Sequence, residues 1–95
     1  MKKHVTVNLE TPIDIGGSNA SAIDLRRPTA GELRGVNLLD IARMETAAVC
    51  TVLTRISTPK ISQAEAALLD PVDLFTIAVE IATFLEPKAA QSLPT

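Results

Sequence analysis

The stretch IDLRRPTAGELRGV, residues 23–36, contains an abrupt change from a strand pattern to a helix pattern. Its first residues alternate between apolar and polar, as in a strand with one buried face. Pro28 disfavours helical backbone at the residue before it, so the strand is predicted to end there. Thr29 and Glu32 then form the T-x-x-E capping box that begins a helix, which we predict to cover residues 30–38.

The residues that precede this switch predict a β-hairpin. Apolar residues alternate with polar ones over residues 4–15 and again over residues 20–26, which is the period of a half-buried strand. Between them lies GGSN, residues 16–19, and glycine and asparagine tolerate the positive φ angles of a turn. Pro12 cannot donate a backbone hydrogen bond, so we expect a bulge or an edge position at that point.

Three helices are predicted after the switch. An apolar row at helical spacing predicts a helix over residues 41–57. The sequence SQAE, residues 62–65, is a second capping box and begins a short helix through about residue 69. Asp-Pro at residues 70–71 supplies an N-cap and a first helical position for the last helix, which is predicted to run to about residue 85.

The order of these elements indicates an α+β fold, in which an N-terminal β-hairpin packs on a small C-terminal bundle of three to four helices. With 95 residues, the chain is expected to form one domain, residues 1–86, followed by a disordered polar tail, residues 87–95. The N-terminus lacks the apolar segment of a signal peptide, and no apolar run reaches the ~18 residues of a membrane span. We therefore predict a cytoplasmic protein that does not bind a membrane.

The composition favours a binding or assembly module over an enzyme. The net charge is −2 and the isoelectric point is about 5.2, whereas nucleic-acid-binding domains usually have a basic face. His4 has no partner residues for metal or catalytic chemistry, and Cys50 lies in an apolar context that indicates a packed side chain. Helix capping accounts for Asp70 and Asp73, and Gly16-Gly17 lacks the spacing of a phosphate-binding loop. No catalytic residue, metal, cofactor or small-molecule substrate is predicted.

The last predicted helix has more apolar surface than one buried face requires. A narrow polar stripe runs along residues 73, 76, 80 and 83, and a core-type apolar face accompanies it. A further apolar row, which we call the outer row, consists of Val72, Phe75, Val79 and Ala82. An apolar row of this kind is covered by the chain's own core, by a second copy of the chain or by a different partner protein. The outer row is our candidate partner-binding site.

The string LRRPTAGELRG, residues 25–35, resembles the tail assembly chaperones of Mu-like contractile-tailed bacteriophages and prophages. It is preceded by T-V-N-L-x-x-P-I-x-I-G-G, which begins at residue 6, as in the hairpin of that family. The resemblance covers residues 5–85, and the hairpin turn around residues 16–20 is longer than the family pattern. The two C-terminal motifs of the family correspond to Leu53, Arg55, Ile56 and Ser57, and to Leu69, Asp73, Leu74, Ile77, Phe84 and Leu85.

The resemblance implies a function in phage assembly. Proteins of this family bind the long, helical tape measure protein in the host cytoplasm, keep it soluble until the tail tube polymerises around it, and are absent from the finished virion. In many such phages a translational frameshift near the end of the gene produces a longer form. Two alternatives stay open, namely a minor structural tail protein and a small dimeric DNA-binding or antitoxin-like regulator. Arg26-Arg27 could contact phosphate or an acidic partner, although a solvated strand end is the simpler interpretation.

Overall fold

In the computed structural model, which describes residues 4–85, a three-stranded antiparallel sheet packs against helices through one of its faces. The predicted α+β class, with an N-terminal hairpin followed by a small set of helices, is confirmed. The tail predicted over residues 87–95 lies outside the described residues.

The elements follow one another in a simple order along the chain. The strands are β1 His4–Ile15, β2 Ser18–Arg26 and β3 Ser57–Thr58, and β2 is the central strand of the sheet. The helices are a 3-10 turn Ala30–Leu33, α1 Leu38–Ala42, α2 Thr46–Ile56, α3 Gln63–Ala66 and α4 Pro71–Phe84.

The turn of the hairpin is tighter than the sequence indicated. Ile15 pairs directly with Ser18, so only Gly16 and Gly17 form the loop, and their φ angles are +59° and +85°. Two successive positive φ angles match the twist of the flanking strands, and glycine adopts them without strain. Asn19, predicted to lie in the turn, is already paired within β2.

The prediction of a bulge or an edge position at Pro12 is confirmed, because β1 is an edge strand and its pairing is irregular around Pro12. The pairing of β1 with β2 shifts between Asn8 and Ile13. The apolar residues on either side of the interruption, Leu9 and Ile13, are both buried. The long strand β1 therefore keeps its apolar side chains on one face of the sheet despite the irregular segment.

The prediction of a helix over residues 30–38 is wrong. Only a single 3-10 turn follows the capping sequence, although Glu32 does accept the backbone N–H of Thr29 at 3.0 Å, as a capping box requires. Gly35 has a φ of +79°, which a continuous helix does not allow. The separate helix α1 begins after Asn37, whose side chain accepts the backbone N–H of Leu39 at 2.8 Å.

The helix predicted over residues 41–57 begins five residues later than expected, at Thr46. Met44 has a φ of +57°, a left-handed conformation that interrupts the helical path. Glu45 then caps α2 by accepting the backbone N–H of Ala48 at 3.0 Å. Met44 falls within the predicted span of this helix and instead lies in the connection before it.

The last two helices begin as predicted. Ser62 and Glu65 form the capping box of α3, which ends at Ala66 and is shorter than expected. Asp70 caps α4 by accepting the backbone N–H of Val72 at 2.9 Å, with proline at the first helical position. The short strand β3 was not predicted, and its pairing with β2 joins the end of α2 to the sheet.

The core lies between the inner face of the sheet and the helices, of which α2 contacts β2 and α4 contacts β1. Its most deeply buried apolar side chains are aliphatic, as expected for a chain with so few aromatic residues. They are Ile23, Leu25, Ile41, Val49, Val52, Leu53, Ile56, Ile61, Ile77 and Ile81.

Candidate partner-binding surface

The outer row lies on the solvent-facing side of α4. Phe75 is 60% exposed, Val72 is 52% exposed and Val79 is 39% exposed, while Ala82 is half-buried. The opposite side of the helix is buried through Ile77, Ala78, Ile81 and Phe84. Within residues 4–85 the row is therefore not covered by the chain's own core.

The threonines beside the outer row add little polarity to this face. At about 100° per residue, Thr76 and Thr83 lie on the same side of α4 as Val72 and Val79. The Thr76 hydroxyl donates to the carbonyl of Val72 at 3.1 Å, and the Thr83 hydroxyl donates to the carbonyl of Val79 at 2.8 Å. Because both donors are bonded within the helix, the surface around the row is more apolar than the sequence suggests.

A groove of about 220 Å³ adjoins the outer row at the start of α4. Its volume is below the roughly 300–1,000 Å³ of small-molecule sites. Phe75 belongs to both the groove and the outer row. The groove is lined by Met44, Thr46, Val49, Pro71, Leu74, Phe75 and Ala78.

The groove is formed where two helices begin. The left-handed turn at Met44 and the cap at Glu45 place the first turn of α2 beside the first turn of α4, which starts at Pro71. The short helix α1 contacts both of these helices, and it carries two further exposed apolar side chains, Leu38 and Leu39. This end of the helical layer therefore exposes apolar side chains on more than one element.

Asp73 is buried against β1 and does not belong to a solvent-facing polar stripe, which corrects the sequence prediction. Its carboxylate accepts the backbone N–H of Glu10 at 2.8 Å and that of Thr11 at 3.1 Å. Asp70 supports the same contact by accepting the Thr11 hydroxyl at 3.3 Å. Phe75 lies about 200° around the helix from Asp73, so bonding of Asp73 to the strand turns the outer row towards solvent.

A hydrogen-bond network around Arg26 stabilises the strand-to-helix switch. The solvated strand end favoured from the sequence does not include this network. Both terminal nitrogens of Arg26 donate to the Glu32 carboxylate, and one also donates to the carbonyl of Arg55 at 3.1 Å. Arg55 in turn donates to the carbonyls of Glu32 and Arg34 at 2.6 and 2.8 Å. The bond from Arg26, followed by that from the Thr29 N–H, lowers the pKa of Glu32 to about 2. Arg26 therefore stabilises the fold at this site.

The remaining candidate groups are the metal-ligating and thiol side chains of the described residues. His, Cys, Asp and Glu side chains of residues 4–85 form no cluster of three that could hold a metal ion. Burial, followed by the charge of Glu45, raises the pKa of the Cys50 thiol, which lies among packed residues. In the same range no helix has both the length and the apolar character needed to cross a membrane.

These features define a small α+β module with an exposed apolar helix face. The family described as phage tail assembly chaperone proteins, E, or 41 or 14, matches residues 6–86, and the chain belongs to this family. It is 34% identical to tail assembly protein E of Escherichia phage P2 over 91 residues, which are 96% of this chain and 100% of that protein. It is also 34% identical to tail assembly protein E′ of the same phage over 85 residues, which are 90% of this chain and 60% of E′. No solved structure gives a significant match.

The comparisons confirm the family expected from the sequence and assign the chain a role in phage tail assembly. Both relatives come from phage P2, so they do not support the narrower expectation of a Mu-like phage. The family is described by its role in tail assembly and by no enzymatic reaction. This assignment favours a tail assembly factor over a DNA-binding regulator.

Proposed function

We propose that this chain binds a tape measure protein through the outer row and the adjoining groove. It keeps that protein soluble in the host cytoplasm until the tail tube assembles around it, and it is absent from the mature virion. The observation that carries the proposal is the exposed side chain of Phe75 beside an apolar groove between α2 and α4. Membership of a tail assembly chaperone family supports it.

The physical basis is the pairing of two apolar helix surfaces. A long helical protein that is later enclosed by a tube exposes apolar stripes before it is enclosed, and exposed apolar surface leads to aggregation. An amphipathic helix binds a complementary protein by placing residues at positions i, i+3, i+4 and i+7 into an apolar groove. Aromatic side chains at the centre of such contacts commonly contribute most of the binding free energy, and Phe75 occupies that position here.

Co-expression with the tape measure protein of the same phage tests the proposal. We expect the wild-type chain to increase the fraction of tape measure protein that remains in the supernatant after centrifugation. The Phe75→Ser variant is expected to lose most of this effect. Leu68→Ser is the matched control, because Leu68 is 68% exposed but lies before α4, outside the outer row and the groove lining. Equal tape measure solubility with and without the chain would contradict the proposal.

The alternative of a minor structural tail protein is separated by a second experiment. Mass spectrometry of purified virions detects a structural subunit and does not detect a chaperone that dissociates before the tail is complete. We expect peptides of this chain in the lysate of infected cells and none in purified particles. Its recovery at a fixed copy number per particle would establish the structural role instead.

A further inference from the structure

We infer that the outer row receives an amphipathic helix whose apolar stripe is bordered by lysine or arginine side chains. This inference rests on the proposed function, because it specifies the chemistry of the partner segment at the same surface. It follows from the distribution of charge around the row and the groove.

Charge is strongly segregated along this chain. Residues 61–85, which contain α3 and α4, carry four acidic residues and no lysine, arginine or histidine. The whole chain has a net charge of only −2, because its basic residues occur elsewhere, most of them before residue 61. The segment that contains the outer row is therefore acidic within a nearly balanced protein.

Three carboxylates adjoin the candidate surface. Glu80 follows Val79 directly on α4, on the side of the helix next to Thr76. Glu45 is exposed and lies between Met44 and Thr46, which both line the groove. Asp70 precedes the groove residue Pro71 at the start of the same helix. The row and the groove are thus bordered by acidic groups at both helix N-termini and along one side of α4.

Among the described residues, fewer basic than acidic residues adjoin the row and the groove lining in sequence. Asp73 also lies on α4, but its carboxylate is bonded to the backbone of β1 and faces away from the row. Arg43 is exposed and adjoins Met44, so one basic residue accompanies the three bordering carboxylates in sequence. A surface with net negative charge around an apolar centre attracts a partner whose apolar centre is surrounded by positive charge.

The same charges argue against a second copy of the chain as the occupant. In a two-fold symmetric dimer the same patch meets itself, so the acidic border of one copy would lie close to that of the other. Like charges brought together in this way oppose association. A partner helix of opposite border charge satisfies both the apolar and the electrostatic character of the surface.

Designed peptides test the inference directly. Three helical peptides would share one leucine stripe and differ only in the border residues, which are lysine, glutamine or glutamate. We expect fluorescence anisotropy at about 50 mM salt to show at least about tenfold tighter binding of the lysine peptide than of the glutamate peptide. The difference is expected to shrink at about 300 mM salt because exposed charges are screened.

Variants of the chain locate the effect on the proposed surface. Glu45→Gln combined with Glu80→Gln is expected to weaken the lysine peptide by about two- to tenfold and to leave the glutamine peptide unchanged. Glutamine retains an oxygen that can cap α2, so this double variant preserves the fold. Asp14→Asn, which removes a carboxylate near the hairpin turn, is the matched control and is expected to bind like the wild type.

Several results would overturn the inference. They are equal binding of the lysine and glutamate peptides, no binding of any peptide, an unchanged affinity in the double variant, and a dimer that Phe75→Ser dissociates. If the chain still solubilises the tape measure protein, these results remove the charge preference alone. If the lysine peptide is selected but tape measure solubility does not respond to the chain, the proposed function fails and the charge preference stands.

Discussion

The buried carboxylate of Asp73 accepts the backbone N–H of Glu10 at 2.8 Å, which bonds the last helix to the bulge of the first strand. A second bond, from the N–H of Thr11, completes the contact. At the bulge, backbone N–H groups of β1 have no partner in β2, and the Asp73 carboxylate of α4 accepts them instead. Phe75 is exposed on the side of α4 opposite this contact.

Replacement of Asp73 is expected to destabilise the protein strongly. Asp73→Ala leaves two backbone N–H groups without an acceptor at a site where Asp73 itself is only 2% exposed. We expect a loss of about 2–4 kcal/mol in the free energy of unfolding, measured by urea denaturation. Glu80→Gln, on the same helix, is expected to change it by less than about 0.5 kcal/mol. A wild-type urea midpoint for Asp73→Ala would show that the contact does not stabilise the fold.

The ion pair between Arg26 and Glu32 is expected to make stability depend on acid pH. The folded-state pKa of Glu32 is about 2, below its ordinary value of 4.5, so its contribution is fully present above about pH 4.5. That contribution is lost as the pH falls from about 4.5 to about 2, because protonation removes the charge that Arg26 holds. Urea denaturation across this pH range should show a shallower loss of stability for Glu32→Gln than for the wild type. Parallel pH profiles for the two proteins would contradict this prediction.

Glu65 is expected to protect the backbone amide of Gly16 in the hairpin turn from hydrogen exchange. Its carboxylate accepts the backbone N–H of Gly16 at 2.8 Å, and this bond, followed by that from the N–H of Ser62, lowers the pKa of Glu65. We expect faster amide hydrogen exchange at Gly16 in Glu65→Ala than in the wild type, as followed by NMR, and partial protection in Glu65→Gln. In the wild type this protection should weaken as acid protonates Glu65. Identical exchange at Gly16 in all three proteins would rule out the bond in solution.

The parts of the fold that were predicted correctly depend on local signals. The capping boxes of Glu32 and Glu65, the Asp-Pro start of α4 and the location of the hairpin turn each act within about four residues, so the sequence shows them directly. The left-handed backbone at Met44 has no such signal, because methionine seldom adopts it. Gly35 did carry a signal, since two glycines in a predicted helix of nine residues favour a break over continuation.

The candidate surface was only partly predictable for a related reason. The spacing of Val72, Phe75 and Val79 shows that they share a side of a helix, but not whether other elements cover that side. Coverage depends on how α4 packs on the rest of the fold, for example through the bond between Asp73 and Glu10, which joins residues 63 positions apart. The groove likewise depends on the turn at Met44, so no local pattern could place its lining next to Phe75.

The two phenylalanines of the chain provide a matched test of the candidate surface. Phe75 is 60% exposed and Phe84 is 4% exposed on the same helix. Phe84→Ala should therefore lower the free energy of unfolding by about 3–5 kcal/mol, and Phe75→Ala by less than about 1 kcal/mol. In partner binding we expect the reverse order. Phe75→Ala should weaken binding of the lysine-bordered peptide by tenfold or more. Phe84→Leu keeps an apolar side chain in the core and should bind that peptide with wild-type affinity. A stability loss for Phe75→Ala as large as that for Phe84→Ala would mean that the ring is packed in solution. The outer row would then be core, and the surface proposed for the partner would have to lie elsewhere.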